Sequence, residues 1–148
     1  MRRLALKFKS GKEHYKSDGC VFFCFDRRLK GLRDASIEFL GLKNEDLVQV
    51  AGGAMELRSP DSEASKYLLG QAVKSWKLHG TKDFYPVIHA DCGAYKAAGL
   101  LPKDMDENDF LEQELLKIKD RLGKDLKKEG CDPGIHIYFA DFEGLWEV

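Results

Sequence analysis

Two short segments carry the side chains with the most chemical capacity: Cys24-Phe25-Asp26-Arg27-Arg28 and His89-Ala90-Asp91-Cys92-Gly93. Cysteine thiolate and histidine imidazole are the ligands that zinc prefers, and His89 and Cys92 are close enough in the chain to reach one ion together. Cys24 supplies a third ligand. Three protein ligands leave the fourth tetrahedral position open, as in catalytic zinc sites, whereas a structural site is closed by four. None of the four cysteines forms a CxxC pair that would close it. Two thiolates and an imidazole favour zinc over hard cations, which take oxygen ligands. Asp26 is the nearby carboxylate that would bind such an ion if it were the fourth ligand.

The elements around these segments explain how they meet. Gly19 to Phe25 is a continuous apolar run that ends at Asp26-Arg27-Arg28, the pattern of a strand buried on both faces and stopping at a polar loop. Leu32, Ala35, Phe39 and Leu40 recur at helical spacing until Gly41, and Leu47 to Val50 restarts an extended run before Ala51-Gly52-Gly53. Ser59-Pro60 offers an N-cap and first residue for a helix bearing Ala64, Tyr67, Leu68, Ala72 and Trp76 on one face as far as Gly80. Phe84 to Ile88 is a third extended segment, delivering His89, and Asp91 is placed to cap a short helix after it. Leu111, Leu115, Ile118, Leu122 and Leu126 mark a long charged helix; a turn at Asp132-Pro133-Gly134 then leads to a fourth strand over Ile135 to Phe139. Met1 to Lys16 is basic, and the alternation of Leu4, Leu6 and Phe8 suits an edge strand or an arm.

Strands alternating with helices predict an α/β fold with a mainly parallel central sheet covered by helices on both faces. In such sheets ligands bind beyond the carboxyl ends of the strands, where Cys24 and His89 both fall. The 148 residues fit a single domain, and no linker or repeat divides them. Lys plus Arg number 24 against 25 Asp plus Glu, a balance that gives no electrostatic footprint for nucleic acid or a membrane surface. No apolar stretch approaches the roughly 20 residues of a membrane helix, and the reading is a cytoplasmic protein with reduced thiols.

Together, Cys-x-Asp-x-Arg at Cys24, Asp26 and Arg28 and His-x-x-Cys-Gly at His89, Cys92 and Gly93 resemble the two signature motifs of the β-class carbonic anhydrases, in the same order. Val50-Ala51-Gly52-Gly53 resembles that family's Asn-Ala-Gly-Asn loop, and the likeness runs from about Val21 to Gly99. It implies reversible hydration of carbon dioxide to bicarbonate by a zinc-bound hydroxide, with Cys24, His89 and Cys92 as ligands. Asp26 would orient the hydroxide and Arg28 would hold Asp26; in some members the equivalent carboxylate closes the site by binding zinc. A homodimer or higher homo-oligomer is implied as well. The sequence departs from the family in its short segment before the first strand and in Gln49-Val50 where Arg-Asn is common. Those departures motivate an alternative, a zinc-binding domain of this fold without hydratase activity. Hydrolysis of carbonyl sulfide or carbon disulfide needs the same hydroxide and is the other alternative.

The remaining candidates read more plainly. Cys20 and Cys131 are expected as small buried hydrophobes. His14, His79 and His136 lack ligand-like neighbours, and His79 falls near a helix C-terminus, where its charge is favourable. Arg27 reads as a solvated neighbour of Arg28. Gly52-Gly53 does not form a dinucleotide fingerprint.

Overall fold

The computed structural model describes all 148 residues. Its sheet is built from β1 (Gly19–Cys24), β2 (Glu45–Val50), β3 (Asp83–His89), β4 (Gly134–Ile135), β5 (Tyr138–Ala140) and β6 (Leu145–Glu147). The strand order is β2-β1-β3-β5-β6, with β4 on β3. Every pairing is parallel except β5 with β6. The helices are α1 (Lys30–Phe39), α2 (Glu63–His79), α3 (Gly93–Ala97) and α4 (Glu107–Lys128).

Alternation along β1 divides the interior in two. Cys20, Phe22 and Cys24 enter the larger cluster with Leu68 and Ala72 of α2 and the stripe of α4, while Val21 and Phe23 join Leu29 and the α1 side chains Leu32 and Ile37. Helices therefore cover both faces, and the α/β expectation is met. On α4, Leu111, Leu115, Ile118, Leu122 and Leu126 are all essentially inaccessible. At about 1.5–3 kcal/mol for each large apolar side chain buried, this stripe is a principal source of cohesion.

The chain passes from β1 to β2 on one side, then crosses back to β3 on the other. The reversal makes the carboxyl ends of β1 and β3 a topological switch point, the usual crevice for a ligand in an open parallel sheet. Cys24 is the last residue of β1 and His89 the last of β3. Pro86 has no N–H to give to a ladder, and it falls where the outer partner of β3 changes from β4 to β5.

Several local expectations are revised. α2 begins at Glu63, capped by the Ser62 hydroxyl accepting from the Ser65 N–H, so Ser59-Pro60 lies outside it. The fourth strand divides into β4 and β5. Between them His136 turns toward the Asp83 carboxylate, 2.8 Å away, and Ile137 buries itself in the larger cluster. The β5–β6 hairpin has its signal in Asp141 and Gly144: Asp141 Oδ1 accepts from the N–H groups of Glu143 and Gly144. Residues before Gly19 form no strand, and Leu4, Leu6 and Phe8 are exposed. That segment is tied down at Tyr15, whose hydroxyl donates to Asp46 at 2.5 Å. His79 is also held by Asp46, at 2.8 Å, rather than serving only as a helix-end charge.

Candidate metal centre

Cys24, His89 and Cys92 converge. One ligand atom from each lies within 4.8 Å of the others, and all three residues are buried. The ring Nδ1 of His89 is 2.7 Å from the Ala90 carbonyl oxygen, so the tautomer that donates from Nδ1 leaves a lone pair on Nε2. Nε2 is fully buried and has no hydrogen-bond partner. A buried imidazole nitrogen left without a partner costs free energy, and a cation shared with the two sulfurs removes that cost. The donor set of two sulfurs and one nitrogen fits zinc.

The sulfurs are prepared unequally. The neighbouring Cys24 thiol, with the Tyr95 and Ala94 N–H groups, holds the Cys92 thiol below the usual thiol range against the effect of burial. Nearness to Cys92 and burial push the Cys24 thiol up, although His89 and the Asp26 and Gly52 N–H groups act in the other direction. Two adjacent thiolates repel unless a cation lies between them, so one proton is retained in the metal-free site.

Backbone geometry sets this arrangement. Gly53 has φ +59°, and a Cβ there would come within 2.4 Å of the Val87 carbonyl and 2.9 Å of the Cys24 nitrogen. Only glycine lets the Ala51-Gly52-Gly53 turn approach the ends of β1 and β3 so closely. The N-cap of α3 is Cys92 rather than Asp91. Asp91 is the one non-glycine residue with positive φ, at 56°. Its carboxylate binds Arg28 and Lys96 instead of capping a helix.

Arg28 spends most of its donors on two carboxylates. Its Nε lies 3.1 Å from both Asp26 oxygens and Nη2 lies 2.7 Å from Oδ2, a forked contact. Nη1 donates to Asp91 Oδ2 at 2.8 Å and Nη2 to the Asp91 carbonyl at 3.1 Å. The guanidinium beside it holds the Asp26 carboxyl down to about 2. Phe142, at the tip of the β5–β6 hairpin, places its ring 5.1 Å from the guanidinium carbon. Asp26 thus stands committed to Arg28, and Arg27 is exposed. A cleft of about 440 Å³ is lined by Cys24, Phe25, Asp26, Ala51, Gly52, Cys92 and Ala94 among others. Apart from Asp26 and Arg27 its walls are largely apolar.

The sequence reading missed the part of Asp91, Lys96 and Phe142 in this network. Asp91 carried a signal, an acidic residue between two ligands, but its left-handed conformation and its partner across the fold did not show in its neighbours. Cys20 and Cys131 are free and buried, and His79 and His136 lie in contacts of their own, as described.

No protein-family model matches the sequence, and no curated protein matches it. Solved structures do match. A carbonic anhydrase from Glaciozyma antarctica is 19% identical, with a TM-score of 0.55 over 90% of this chain and 82% of that one. A β-carbonic anhydrase isoform from Trichomonas vaginalis is 14% identical, with a TM-score of 0.56 over 95% and 87%. A structure from a study of two tetrameric β-carbonic anhydrases of Sordaria macrospora is 11% identical, with a TM-score of 0.57 over 91% and 82%. The protein has the fold of the β-class carbonic anhydrases. A buried Cys-His-Cys group able to hold a metal ion stands at the switch point of that fold. No helix is long and apolar enough to cross a membrane.

Proposed function

We propose that the protein is a zinc-dependent lyase that reversibly hydrates carbon dioxide to bicarbonate. The observation that carries this reading is the buried, unpartnered Nε2 of His89 beside the sulfurs of Cys24 and Cys92, two residues that line an open cleft. Zinc, when bound by these three residues, supplies the Lewis acidity that lowers the pKa of water from 15.7 to about 7. The protein's own groups do the rest. Phe25, Ala51 and Ala94 give the cleft apolar walls suited to a small uncharged linear substrate. Asp26, ionised and fixed by Arg28, offers an acceptor that can orient the attacking hydroxyl. Arg28, itself held by Asp91, engages both oxygens of that carboxylate and so competes with the metal for it, which favours an open site.

The assembly we propose is one zinc-binding domain per chain in a cytoplasmic homodimer or larger homo-oligomer. Its support is the shared fold with the tetrameric Sordaria macrospora enzymes. The decisive measurement is stopped-flow carbon dioxide hydration by protein loaded with one zinc per chain, at pH 7 and pH 9. A rate above the buffer control supports the lyase. Bound zinc with no such rate at either pH leaves the non-hydratase domain in its place.

A further inference from the structure

The turn from His89 to Cys92 carries two of the three candidate ligands, and something must hold it in its unusual shape. Asp91, at its centre, has φ 56°, a left-handed conformation that is costly for a non-glycine residue and persists only where its surroundings impose it. Its N–H donates to Glu107 Oε1 at 2.8 Å, its carbonyl accepts from Arg28, and its carboxylate is shared by Arg28 and Lys96. Glu107 is the first residue of α4, sixteen positions away, and α4 is anchored by the fully buried stripe that begins at Leu111. On the other side, Arg28 belongs to the segment that follows Cys24.

We propose that Glu107 is a positioning residue for the metal centre: by accepting the Asp91 N–H from the start of α4, it fixes the His89–Cys92 turn in the ligating shape. This rests on the zinc reading above. The first turn of a helix also favours a carboxylate through the helix dipole, yet Asp109 in the same turn has that benefit without touching Asp91. Outer-shell partners of metal ligands are worth 10–100-fold in affinity, and Glu107 acts at the same remove through the backbone between two ligands.

The test compares Glu107→Ala, Glu107→Gln and Asp109→Ala in the full chain. Gln keeps an oxygen acceptor and removes the charge. Hydrogen exchange of the Asp91 amide in metal-free protein should be slow in wild type and Glu107→Gln, and at least about tenfold faster in Glu107→Ala. Zinc affinity should fall about tenfold or more in Glu107→Ala, with shifted visible absorption bands of its cobalt form. Both should be restored by Gln and unaltered in Asp109→Ala. Equal Asp91 exchange in Glu107→Ala and wild type overturns the inference whatever the metal does, as does an Asp109→Ala effect of the same size. Failure of the wild type to take up zinc or cobalt, with Asp91 protection behaving as expected, instead overturns the zinc reading and leaves the turn anchor standing.

Discussion

Arg28 reaches across the site to Asp91, donating to its carboxylate at 2.8 Å and to its carbonyl at 3.1 Å, while its other edge grips Asp26. One guanidinium thereby joins the segment after Cys24 to the turn between His89 and Cys92.

That bridge predicts the behaviour of the pair. Arg28→Ala releases Asp26 to approach the metal, so hydration should fall at least about tenfold while zinc content stays near one per chain and X-ray absorption shows a carboxylate in place of the solvent oxygen at the fourth position. Arg28→Lys cannot reproduce the forked contact and should rescue little. Asp26→Asn should lose activity with zinc retained. Unchanged rate and coordination in both Arg28→Ala and Asp26→Asn would remove these residues from the mechanism.

Metal and folding should be linked at the ligands. Cys24→Ser and Cys92→Ser should lose zinc, and with it the stabilisation bound metal confers, about 2.7 kcal/mol when free zinc is 100 times its Kd. Cys131→Ser should leave zinc content at the wild-type value. Elemental analysis and thermal melts with and without zinc check this.

Gly53 should tolerate no side chain. Gly53→Ala combines a left-handed backbone with overlap onto the Val87 carbonyl and the Cys24 nitrogen, and should cost about 2 kcal/mol or more. Gly31→Ala, in a helix where an added Cβ meets nothing, is the control. Denaturant midpoints of the two variants give the comparison.

Asp46 should make stability depend on acid. Burial raises its pKa, but hydrogen bonds from Ser75, Tyr15 and His79 outweigh that and lower it in the folded state. A carboxyl depressed on folding contributes its full stability above its unfolded value, about 3.9, and loses it as pH falls through the folded value. The melting-temperature advantage of wild type over Asp46→Asn, measured on metal-free protein, should be fully present at pH 5. Below about pH 4 it should shrink. An advantage that persists undiminished to pH 2 would contradict the assignment.

Local pattern determined much of this protein. The apolar run ending at Cys24, the segment ending at His89 and the stripe from Leu111 to Leu126 each follow from side-chain period and burial, which is why three strands, the long helix and the sheet class could be read from residues alone. The residue types at Cys24, His89 and Cys92 pointed to a transition metal such as zinc, because thiolate and imidazole suit it better than they suit hard cations. Only the tertiary structure decided that they do meet, since β1 and β3 become neighbours through a chain reversal after β2. It also decided the left-handed Asp91, the reach of Arg28 to it, the Glu107 anchor and the hairpin that sets Phe142 on Arg28. Those depend on pairs 16 to 114 positions apart. No local propensity encodes a hydrogen bond whose partner is brought in by the packing of another element.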